Sequence, residues 1–73
     1  MWERELAKRK ARLAENIKRI RLSKGLAQER LALEAGVDRT LVSKIERQVS
    51  NPSLETLVKL AATLKVNVAS LLE

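Results

Sequence analysis

The chain has 73 residues, no Cys, no His and a formal net charge of +6. That length supports one domain, and without thiolate or imidazole the common zinc sites and catalytic triads are excluded, so neither an enzyme nor a metal or cofactor is expected. Trp2 is the sole aromatic residue, which argues against RNA-recognition or single-strand folds that stack bases on aromatic platforms, while the basic balance makes an anionic partner the first candidate.

No stretch approaches the ~18 apolar residues of a membrane span. The opening Met1-Trp2-Glu3-Arg4-Glu5 lacks the basic-then-apolar order of a signal peptide. A cytoplasmic protein with no membrane partner and no small-molecule ligand is expected. The charge is uneven: residues 1–24 hold nine cations against three carboxylates, and residues 25–73 hold six of each. All of the net charge therefore sits on the first third. Such a segment is either a solvated face or a footprint for phosphates.

In chain order, Leu6, Leu13, Ile17 and Ile20 form one stripe that predicts a long amphipathic first helix over about 3–23. Gly25, after Lys24, supplies a left-handed stop. Gln28–Ala35 predicts a short second helix, with Leu31, Ala32 and Ala35 inward, ending at Gly36. Asp38 can cap a third helix over about Arg39–Glu46, because its carboxylate can accept from free amides of the first turn. Val42 and Ile45 form the inner face of that helix. Beyond an irregular stretch to Pro52, Ser53 caps a fourth helix carrying Leu54, Leu57, Leu60, Ala61 and Leu64. Asn67 caps a fifth, with Val68, Leu71 and Leu72 on one side. No segment alternates with period two for long enough to make a strand. The expected fold class is all-α, with residues 1–12 a basic extension of the first helix and 13–73 the domain itself.

Two short helices joined by a turn with Gly describe a helix-turn-helix, here at 28–47. Its steric demands are met together. Small Ala32 sits where the helices approach, Gly36 where the turn needs positive φ, and Val42 and Ile45 where the second helix buries its face. Residues 13–72 resemble the xenobiotic-response-element family of helix-turn-helix domains, which includes lambdoid phage repressors and Cro proteins. The matching words are Ile17-Lys18-Arg19-Ile20-Arg21, Gly25-Leu26-Ala27-Gln28-Glu29-Arg30-Leu31-Ala32, Gly36 through Arg47, and Asn51-Pro52-Ser53-Leu54. Within the family, Asp38-Arg39-Thr40, Val42-Ser43, Ile45-Glu46-Arg47 and Asn51-Pro52-Ser53 are most similar to the controller proteins of restriction–modification systems.

The resemblance implies a five-helix, lambda-repressor-like domain that regulates transcription by binding double-stranded DNA as a homodimer, with residues 39–46 in the major groove. Arg39 is expected at the first turn of the third helix, where its planar fork suits guanine O6 and N7. Thr40 offers a hydroxyl and a methyl, and Ser43 and Lys44 lie one turn further along. Gln28 resembles the family glutamine that holds a phosphate at a helix amino terminus. Lys18, Arg19 and Arg21 are candidate phosphate contacts, as are Arg47 and Asn51. Glu46 is expected to be structural, bridging to a basic side chain.

The fifth helix is the expected dimer seam through Val68, Leu71 and Leu72, with Leu71 turning inward and leaving a modest interface reinforced by DNA. The alternative reading is an antitoxin-type or other protein-binding module on the same fold. It is disfavoured because Glu73 directly follows the last helix, with no tail to wrap a partner.

The chain departs from the family pattern at four points. Ala27 stands where Ser or Thr usually caps the second helix, and Gln48 where Gly is common. Leu41 replaces the aromatic typical of the controllers, and Lys44 replaces their usual Gly.

Overall fold

The computed structural model describes all 73 residues. Five helices follow one another: α1 (Trp2–Ser23), α2 (Gln28–Ala35), α3 (Leu41–Glu46), α4 (Leu54–Leu64) and α5 (Val68–Leu72). There are no strands. α1 packs on α3 and α5, and α2 on α3 and α4, around one core. Ile17, Leu31, Val42, Leu60, Leu64 and Leu71 are wholly enclosed in it. The 35 Å long axis is set by the 22 residues of α1, which at 1.5 Å each span about 33 Å.

Four helix ends share one geometry. After α1, Gly25 N–H returns to Leu22 O and Leu26 N–H to Arg21 O, both at 3.0 Å. The same paired return closes α2 at Gly36, α3 at Gln48 and α4 at Lys65. This is the Schellman arrangement, which needs one left-handed residue. Gly25 (φ +69°) and Gly36 (φ +70°) take it freely, whereas Gln48 (φ +62°) and Lys65 (φ +61°) must hold a Cβ there. Position 48, where Gly is common in the family, thus takes a positive φ. Gln48→Gly should stabilise the fold by about 0.5–1 kcal/mol, the left-handed penalty less the added chain entropy of glycine. The melting temperature reports it, and an unchanged or lower value would show that Gln48 carries no strain.

The caps follow the side chains. Ser53 Oγ accepts from Thr56 N at 3.1 Å, and Asn67 Oδ1 from Ser70 N at 2.8 Å. Ala27 supplies none, so α2 begins without a side-chain cap. α3 starts later than the sequence predicts. Asp38 Oδ1 does accept a free amide, that of Thr40 at 2.8 Å, together with the Thr40 hydroxyl at 2.6 Å. The α-helical ladder nevertheless begins only at Leu41, because residues 38–41 close an i→i+3 turn first, from Leu41 N to Asp38 O at 3.0 Å.

Candidate nucleic-acid interface

α2, the 36–40 turn and α3 build the site. Val42 and Ile45 pin the inner side of α3 to the core, and that placement turns Lys44 outward, with Ser43 half-buried beside it. A buried ionic tie sets the orientation of α3. Arg21 donates from Nε to Glu46 Oε2 at 2.8 Å and from Nη2 to Oε1 at 3.1 Å. Its Nη1 donates to Leu26 O at 2.9 Å, and Gln28 Nε2 donates to Glu46 Oε1 at 3.0 Å. The Arg21 and Glu46 side chains are 9% and 8% exposed, so α1, α2 and α3 meet at one desolvated, bidentate pair. No buried side-chain polar atom is left without a partner.

This corrects the expected role of Arg21. Its Nε, Nη1 and Nη2 are all committed inside the protein, so it is an anchor of α3 rather than a free phosphate cation. Glu46 is structural, as expected. The signal lay in the sequence: Arg21 follows Ile17 by four residues and Ala14 by seven, in phase with the apolar stripe.

The remaining candidates divide by position. Arg39 lies in the turn leading into α3, not in its first turn. Its Nη2 is 3.7 Å from Glu29 Oε1, with both side chains more than three-quarters exposed. That separation is too long for a hydrogen bond, and an exposed pair holds weakly, so the guanidinium fork is available. The Thr40 hydroxyl proton is spent on Asp38, and the side chain is otherwise exposed. The Thr40 hydroxyl and amide hold the Asp38 carboxyl below its ordinary value of 3.8. The contribution of this turn to stability is therefore complete above that value and lost as pH falls through the lowered one. Lys44 and Arg47 are exposed, Arg47 Nε reaching Ser43 Oγ at a long 3.3 Å. Asn51 is exposed in the loop before α4.

The cations of α1 are not gathered on one face. Lys18, three residues before Arg21, is exposed. Arg19 lies toward α5: it donates to Asn16 Oδ1 at 3.1 Å, and Asn16 Nδ2 donates to Leu71 O at 3.0 Å. The expected trio of Lys18, Arg19 and Arg21 is thus split three ways. Sequence reasoning also misses a tie between α1 and the end of α5, made by Asn16 and by Arg9 Nη1 to Leu72 O at 2.9 Å. Of the expected seam, Leu71 turns inward as expected and is fully buried in the core. Val68 and Leu72 are half-buried at the surface.

A helix-turn-helix family model matches residues 17–71 of this geometry. The chain belongs to the helix-turn-helix family. Over 63 residues it is 44% identical to a hypothetical transcription factor of Neisseria meningitidis serogroup B, covering 86% of this chain and 59% of that protein. The restriction–modification controller protein C.AhdI of Aeromonas hydrophila superposes with a TM-score of 0.80 at 35% identity, over 85% of this chain and 94% of that one. The structure of SinR, a master regulator of biofilm formation, in complex with DNA, matches at TM-score 0.79 and 40% identity, over 84% of this chain and 98% of that one. The five-helix fold expected from the resemblance is present, and these helix-turn-helix relatives are transcription regulators rather than enzymes.

Proposed function

We propose that the chain is a sequence-specific regulator that acts in the cytoplasm and binds duplex DNA as a homodimer on an inverted repeat, in the manner of restriction–modification controllers. The observation that carries this reading is the buried Arg21–Glu46–Gln28 tie, which holds α3 rigidly while Arg39, Thr40, Ser43 and Lys44 remain outside it. Preorganisation of that kind spares a reading head the entropy of ordering on its target. The likeness to SinR, solved on DNA, supports the same partner.

Arg39 reads a guanine through its fork, and Thr40 accepts from a base amino group or packs on a thymine methyl. Ser43 and Lys44 extend the contact along the groove. Gln28 keeps one Nε2 proton, and because Ala27 leaves the first amides of α2 uncapped, they are free for a phosphate. Lys18, Arg47 and Asn51 flank that contact along the backbone. Replacing Lys18 and Arg47 with Gln should weaken all duplexes alike and lower the log–log salt slope by about 0.9 for each phosphate no longer neutralised. An unchanged slope would return both to the solvated surface.

Dimerisation gives the second reading head that one short helix lacks. Sedimentation with an inverted-repeat duplex, half-sites roughly 34 Å apart, should find two chains per duplex. Leu72→Glu should reduce this to one chain with weaker binding. One wild-type chain on a single unrepeated half-site would overturn the homodimer.

A further inference from the structure

α1 runs about three turns beyond Leu13, its first core residue, and its leading end carries an apolar pair, Trp2 at 69% and Leu6 at 39% exposure. Beside Leu6 the surface opens into a cleft of about 270 Å³. Leu6, Leu13, Leu57 and Leu72 give it an apolar lining, with Arg9 and Lys10 at its edge. We propose that this cleft receives the Trp2 indole of a second copy, reciprocally, so that the leading turns of α1 complete the homodimer seam. The inference rests on the homodimer reading above.

Four observations carry it. First, α5 alone is too small: it has five residues, Leu71 is in the core, and only Val68 and Leu72 remain half-exposed. A stable interface needs about 800 Å² from each partner. Two buried indoles, each contributing about 150–250 Å², supply much of what is missing.

Second, the cleft is continuous with that seam, because Leu72 belongs to both. Third, Trp2 does not fill the cleft of its own chain: it is 69% exposed and is not among the residues that line the cleft.

Fourth, the charges suit a two-fold axis. An isologous contact between antiparallel α1 helices crossing at Leu6 sets Trp2 against Lys10 and Glu3 against Arg9. Arg9 spends Nε on Glu5 and Nη1 on Leu72 O, leaving Nη2 and the guanidinium face for the partner. Cations at the edge of an apolar cleft suit an indole face.

Trp2 is the only aromatic residue, so intrinsic emission reports this one site. Across a concentration series of the full chain, with and without an inverted-repeat duplex, emission should move to the blue and become shielded from iodide in step with the sedimentation of dimer. Trp2→Ser, at an exposed position that leaves the core untouched, should raise the dimer dissociation constant about tenfold or more, with Trp2→Phe recovering part of the loss. A dimer whose indole stays solvent-exposed, or a Trp2→Ser dimer as tight as the parent, would overturn the cleft assignment while leaving the homodimer standing. A strict monomer on and off DNA would overturn both.

Discussion

Glu46→Ala should destabilise the fold by about 3–5 kcal/mol, because it strands the Arg21 guanidinium in a site that admits almost no water. A small domain holds only on the order of 5–10 kcal/mol in total, so much of the variant will be unfolded at ordinary temperatures. The deleted carboxylate serves Gln28 as well as Arg21, and the damage therefore reaches α2 and α3 together. Replacing Arg21 and Glu46 jointly with Met and Leu should cost less than Glu46→Ala alone, since no unpaired charge then remains buried. Urea midpoints of the single and double variants decide this. A single-variant loss below about 1 kcal/mol would mean that water or another acceptor reaches the guanidinium.

Arg39→Ala should leave stability nearly unchanged and remove about 1–3 kcal/mol of specific DNA binding, while relaxing preference at one base pair per half-site. The side chain is 78% exposed and its ion pair with Glu29, 3.7 Å between two exposed groups, is weak, so the fold depends little on it. Arg39→Lys should recover charge but not discrimination, because an ammonium lacks the planar fork. Specific and random duplexes measured side by side separate the roles. Equal weakening of both would make Arg39 a phosphate contact.

The helices are legible wherever local chemistry acts alone. The stripe through Leu13, Ile17 and Ile20 and the caps Ser53 and Asn67 lie in the sequence in the order in which the structure uses them. The start of α3 is not legible to the residue, because Asp38 serves an i→i+3 turn and an α-helical first turn equally well. The strained end at Gln48 is visible as a departure from glycine, yet nothing in the sequence marks Lys65, which has the same kind of φ.

Within the site, composition misplaces Arg21. Counting cations along α1 groups it with Lys18 and Arg19, while its phase with Ile17 assigns it to the interior. Only the partner element decides between the two, and that partner, Glu46, lies 25 residues away. The ties from Arg9 and Asn16 to α5 carbonyls are hidden for a related reason, since their acceptors are backbone atoms that any sequence carries.

Selection of bound duplexes from a random pool reads partner, specificity and symmetry together. An inverted repeat whose half-sites lie about one helical turn apart should be enriched, with one position in each half-site losing its preference in Arg39→Ala. A pool that stays random through successive rounds, or that yields a single unrepeated site unaffected by Arg39→Ala, would contradict the proposed function.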